Sequence, residues 1–324
     1  MNKTLKLLIR IFAIILGIFL LAMIGLNIYF RVNYADFYEL SERGFKIPGL
    51  NEGFIPQGLT RCNDGTFLTC GYMKDGSASR IYIIDNNSYV SLKNLDGSVD
   101  TNHAGGLAVN GDYLYMTNED YISVYLLDDV LTASAGNTIT PIYFFYTGLD
   151  SAFVYVNDDK MYVGEFYREE NYPTDESHHM NTDAGDMHHS IMAVFALSEN
   201  SEYGFLSEIP EYVYSIDDLA QGVCITGRGN ICLSTSYGTA DSHIYIYDDP
   251  AQYSADGEFE IAGTRVPLYY LDSNHLQKTV TLFPMTEELF FADNKINIMC
   301  ESASNKYIFG KLTGCSYVYS FSVS

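Results

Sequence analysis

Four of the chain's seven histidines lie in one stretch, residues 168–189, REENYPTDESHHMNTDAGDMHH, beside Glu169, Glu170, Asp175, Glu176, Asp183 and Asp186. Neutral imidazoles next to carboxylates are donors for zinc or a similar divalent metal. His178, His179, Asp186, His188 and His189 are therefore candidate metal ligands. No HExxH pattern fixes them, so the same residues also read as an acidic loop with incidental histidines.

A second group consists of acids that close or open apolar runs. Glu165 ends KMYVGE, Glu301 ends KINIMCE, and Glu287 and Glu288 open the run EELFFA. Burial raises a carboxyl pKa, and two such groups can serve as general acid and base. Glu165, Glu287 and Glu301 are the catalytic candidates. A third group, Gln57, His103, Asp150, Gln221, Glu288 and Asn118, recurs at starts or ends of apolar runs and could ring a polar ligand or a cation. The alternative is that these groups bond one another and channel water. His243 and His275 stand alone and read as structural. The chain has no G-x-S-x-G elbow, no G-x-x-x-x-G-K-[ST] phosphate loop and no complete EF-hand loop.

What must position these residues is a recurring unit, plainest in residues 103–127, HAGGLAVNGDYLYMTNEDYISVYLL. It reads as strand, tight turn, strand, short loop, strand, with the Asn-Gly-Asp chemistry of hairpins. Five versions start at Ile55, Gly105, Ser151, Gln221 and Glu287. Expected strands include 66–72 and 80–85 in the first, 160–167 and 190–197 in the third, and 230–237, 243–248 and 266–272 in the fourth. The fifth has strands at 295–302 and 317–323 but no fourth strand, while residues 33–48 hold one spare strand, FYEL or GFKI. Pairing the two closes a ring and removes two exposed edges. The prediction is an all-β, five-bladed β-propeller, with six blades as the alternative. On this plan residues 168–189 join the second and third strands of the third blade and can reach His103.

Aromatic residues are 15% of the chain, with 28 Tyr and 19 Phe, which suits strands. Residues 11–30, IFAIILGIFLLAMIGLNIYF, form an apolar run of bilayer-spanning length. Lys3, Lys6 and Arg10 precede it, so the N-terminus is expected in the cytoplasm and residues 31–324 outside. An uncleaved anchor is favoured over a signal peptide, because the run is long and no A-x-A-like site follows. The expected organisation is thus a short cytoplasmic 1–10, a transmembrane helix over 11–30 and an extracytoplasmic propeller over 31–324.

Lys3, Lys6, Arg10 and Arg31 are the only charges before Asp36. The remainder carries 14 basic residues against 41 acidic ones, a net −27. Such a surface excludes nucleic acid as a partner. Six cysteines form no CxxC pair. Cys62 with Cys70, and Cys224 with Cys232, are spaced for cross-strand disulfides, or all six are buried thiols.

The motifs FIPQGLT, SRIYIID and NHAGGLAV-x-G-D-Y-L-Y-M resemble the bacterial YVTN- and lactonase-type β-propellers over residues 50–324. The resemblance implies a secreted or membrane-anchored propeller and, from lactonase-like members, a divalent cation held in the channel by Glu, Asn and Asp. It assigns no residue of this chain. Two functions follow as expectations. One is a module binding a small molecule, glycan or protein at the channel. The other is a metal-dependent hydrolase of lactone, phosphoester or glycan type, using His103, Glu165, Glu287 or Glu301 around Ca2+ or Zn2+.

Overall fold

The computed structural model describes residues 2–322. Met1, Ser324 and Val323, the last position of the strand expected over 317–323, lie outside the described residues. Helix α1 (Lys3–Asn33) begins at Asn2, whose side chain accepts the Thr4 N–H, and continues almost directly into α2 (Ala35–Leu40). With a mean hydropathy of 2.9 in its most apolar window, α1 is long and apolar enough to cross a membrane.

Five antiparallel sheets follow around a channel. Blade 1 is Phe54–Arg61, Phe67–Met73, Arg80–Ile83 and Ser88–Leu92. Blade 2 is Leu107–Asn110, Tyr113–Asn118, Tyr121–Leu126 and Tyr143–Tyr146. Blade 3 begins Ser151–Asn157, Lys160–Glu165, Ser190–Ala196 and Tyr212–Ile216. Blade 4 is Ala220–Ile225, Ile231–Thr235, Ser242–Tyr247 and Leu276–Leu282. Blade 5 has three late strands, Thr286–Ala292, Lys295–Cys300 and Tyr317–Phe321, and takes its outer strand from Ser41–Lys46, antiparallel to Tyr317–Phe321.

The five-blade ring and its closure by the N-terminal strand match the sequence reading. GFK of the GFKI segment is in that strand, whereas FYEL lies in α2. There Phe37 is wholly buried, its ring 5.3 Å from Phe283 and 5.6 Å from Tyr319. That packing keeps the segment helical and off the sheet edge.

The fourth blade differs from expectation. Its outer strand is Leu276–Leu282, and the apolar segment expected there, 266–272, falls mostly in Thr264–Tyr270, which instead runs parallel to Tyr212–Ile216 and extends blade 3 with Gly257–Ile261. Leu276–Leu282 is polar enough to miss as a strand, because only Val280 and Leu282 are buried along it. All six cysteines are free and buried; Cys224 faces Cys232 across the inner hairpin of blade 4, while Cys70 pairs with Gly58 rather than Cys62.

Candidate functional site

The inner strands of four blades shift register where they enter the channel, between Pro56 and Gly58, Ser151 and Phe153, Ala220 and Gly222, and Thr286 and Leu289. A bulge of this kind turns a side chain and frees a backbone N–H from the ladder. In four of five blades the motif is Gln57-Gly58-Leu59, Gly105-Gly106-Leu107, Gln221-Gly222-Val223 and Glu287-Glu288-Leu289. The first residue of each motif lines the cavity.

The second residue is glycine in three of them because the centre is crowded. A Cβ on Gly58 would lie 2.4 Å from the Cys70 sulfur and 3.0 Å from Glu288 Oε2. One on Gly222 would lie 2.6 Å from the Glu288 Cα. Glu288 fills that space, and its Oε2 accepts the N–H of Leu59 at 2.6 Å and of Leu107 at 3.0 Å. Burial pushes its carboxyl pKa up, against the pull of those backbone donors. Glu288 thus acts on blade packing and does not line the cavity.

The cavity occupies about 570 Å³ at the channel mouth, on the face where inner strands begin. Gln57, His103, Asn118, Asp150, Gln221, Glu287 and Glu301 all line it. Glu165 and the five candidate metal ligands of residues 168–189 do not.

Glu165 is buried with His178, whose Nδ1 is 2.8 Å from Glu165 Oε2, and the same oxygen accepts the Ile191 N–H. His188 Nδ1 lies 2.7 Å from Ser215 Oγ, and His189 Nδ1 lies 2.8 Å from Asp218 Oδ2. His179 faces Thr174, and Asp186 Oδ2 accepts the Ser273 N–H at 2.7 Å. The stretch is an ordered cover laid on blades 3 and 4, with its polar groups spent on tertiary contacts. Tyr172 from it reaches the cavity; its histidines do not line the site with His103. Among the described residues no three His, Cys, Asp or Glu side chains converge in a group that could hold a metal ion.

Glu287 and Glu301 form the chemical centre of the cavity. Burial, then the Glu301 and Glu288 charges, raise the Glu287 carboxyl well above its ordinary range. Burial raises Glu301 to about 7, opposed by the Lys306 charge and by hydrogen bonds from Tyr307 and Gln57. Gln57 Nε2 donates to Glu301 Oε2 at 3.0 Å. Lys306 Nζ donates to the Tyr72 hydroxyl at 2.5 Å and lies 4.9 Å from the centre of that ring. Tyr72 also meets His103, ring to ring at 4.4 Å. His103 is exposed at the rim, but the protein packed around it and then the Lys306 charge lower its pKa to about 4. At the rim, Asp150 is raised by partial burial and by the Asp120 charge.

Sequence reasoning missed Lys306, Tyr307, Phe166, Tyr237 and Met285, which also line the cavity. Lys306 and Tyr307 belong to residues 301–316, a long link between the second and third strands of blade 5 with no strand of its own. Its length was the available signal. Ala104, Glu119 and Met285, all lining residues, hold left-handed φ values of 51°, 53° and 64° without being glycine. Such strain concentrates at functional sites.

No family model matches the chain, and no curated protein matches its sequence. Among solved structures it is similar to the PQQ-bound aldose sugar dehydrogenase of Streptomyces coelicolor. That match has a TM-score of 0.47 and 13% identity, over 88% of this chain and 98% of the other. A putative oxidoreductase (glucose dehydrogenase) of Thermus thermophilus gives 0.45 and 12%, over 86% and 98%. A putative gluconolactonase gives 0.37 and 11%, over 87% and 91%. These likenesses concern the propeller fold alone.

Proposed function

We propose that the chain is a membrane-anchored hydrolase whose channel site acts on a small, hydroxyl-rich substrate such as a sugar lactone or glycoside. The observation that carries this reading is the Glu287–Glu301 pair in the cavity wall, Glu287 buried and Glu301 partly so, with both carboxyls raised and Glu301 near neutrality. Environments that push two carboxyls to different pKa values assign an acid and a base. Glu287, whose burial and carboxylate neighbours make it hold its proton more tightly than an ordinary glutamate, is the acid that protonates the leaving oxygen. Glu301, partly ionised at neutral pH, takes a proton from the attacking water, whose oxygen forms the new bond as the old carbon–oxygen bond breaks. Gln57 orients Glu301 through its 3.0 Å hydrogen bond. Gln221, Asn118 and Ser236 offer hydroxyl partners, and Tyr72, Tyr237 and Phe166 offer ring faces.

The divalent cation implied by the resemblance fits this wall poorly. Apart from His103 the lining donors are oxygens, which would suit Ca2+ over Zn2+. The Glu287 and Glu301 carboxylates lack a convergent third among the described residues, and the Lys306 ammonium already brings positive charge to Glu301. No step is therefore routed through a metal.

Anchoring rests on α1, whose first turns carry Lys3, Lys6 and Arg10 on the expected cytoplasmic side. The test is turnover of chromogenic glycosides and aldonolactones by the full chain, with Glu287→Gln and Glu301→Gln beside it. Loss of turnover with ligand binding retained supports the acid–base roles. Binding of these compounds by the parent chain without turnover would leave the module reading in its place.

A further inference from the structure

The loops that hold the root of α1 are the loops that form the rim of the cavity. Tyr34 is buried and donates to Asp241 Oδ1 at 2.7 Å, and its ring packs edge-on to Phe283. Tyr38 donates to the Thr313 carbonyl at 3.2 Å. Asp241 is three residues from Gly238, Phe283 is two from Met285, and Thr313 lies in the link that carries Lys306. Gly238, Met285 and Lys306 all line the cavity. The helix therefore leaves the propeller from the channel-mouth face.

Nothing separates the helix from the propeller. Helix α1 runs unbroken to Asn33, α2 starts at Ala35 and the first strand at Ser41. A hydrocarbon core takes about 20 helical residues. A span over residues 11–30 leaves the bilayer where Phe30, itself buried, enters the protein. Next to the rim, Ile308 is 58% exposed at a φ of 59°, a conformation β-branched residues avoid. No packing explains holding an exposed Ile there. Lys306 and Lys311 flank it in a domain otherwise strongly acidic, and apolar tips with flanking lysines suit the membrane–water interface.

We propose that the channel mouth faces the bilayer at close range, with Ile308 at headgroup level, so that the site takes a ligand carried on the membrane surface. This rests on α1 being an anchor and not on the acid–base reading. The test uses the full chain in phosphatidylcholine–phosphatidylglycerol vesicles. All six native thiols are buried, so an environment-sensitive fluorophore reports on Ile308→Cys, or on Thr239→Cys should the first variant misfold. Asp112→Cys, in the inner hairpin turn at the opposite face, is the control. Spin-labelled headgroup lipid should quench most of the emission at 308 or 239 and leave the label at 112 unchanged. Equal quenching at both faces, or none at 308 and 239, overturns the inference. Vesicle flotation separates the failures. A chain that floats with an unquenched mouth refutes only this orientation, and one that does not float refutes the anchor as well.

Discussion

Glu288 in blade 5 accepts the backbone N–H of Leu59 in blade 1 at 2.6 Å, and the same oxygen takes that of Leu107 in blade 2 at 3.0 Å. One buried carboxyl thus ties three blades through donors that the inner-strand entry leaves outside the ladder. Removing it strands two buried N–H groups, each costing roughly 1–3 kcal/mol. Glu288→Ala should destabilise the chain by about 3 kcal/mol in denaturant unfolding. Glu288→Gln, which keeps an acceptor oxygen, should cost visibly less. Equal losses in both variants would show that shape rather than the acceptor matters.

Glu301 makes stability depend on pH. Its carboxyl is raised from 4.5 to about 7 on folding. The stabilising effect of its proton is therefore complete below pH 4.5 and is lost as pH rises through 7, by at most about 3 kcal/mol. Glu287, also raised, loses its proton with the same sign. Urea midpoints measured across that window should fall with pH in the parent chain and flatten in Glu301→Gln. A variant curve parallel to the parent's would remove Glu301 as the source.

The His178–Glu165 contact predicts a structural penalty rather than a lost ligand. Both side chains are buried, 2.8 Å apart. Leaving a buried hydrogen-bonding group without its partner costs roughly 1–3 kcal/mol. His178→Ala should lower the melting temperature sharply, whereas truncating exposed Glu176 in the same cover should change little. Thermal unfolding of the two variants decides it.

The ring was legible because its signals are local: Asn-Gly-Asp turns, period-2 strands and a spare N-terminal strand for an incomplete last blade. Channel residues such as Gln57 and Gln221 were legible for the same reason, since each opens an inner strand. The fate of 266–272 was not, because its apolar character fits any sheet edge and only tertiary pairing sends it to blade 3. Nor were the histidines, whose spacing cannot tell a ligand from a partner to Glu165 or Ser215. Lys306 escaped because its meaning comes from Tyr72, which tertiary folding alone brings near it.

Lys306 offers a test that separates charge from packing. Its ammonium lowers the pKa of both Glu301 and His103. In Lys306→Met the charge is gone while the stem remains to cover Tyr72. Both pKa values should then rise, Glu301 above about 7 and His103 from about 4 towards 6.5. If the substitution instead opened the cavity to water, relief of burial would move them in opposite directions, with Glu301 falling and His103 rising. Carboxyl 13C and imidazole 1H titrations of one sample distinguish the two. Movement of both upward assigns Lys306 an electrostatic role at the site, and a falling Glu301 value assigns it a packing role.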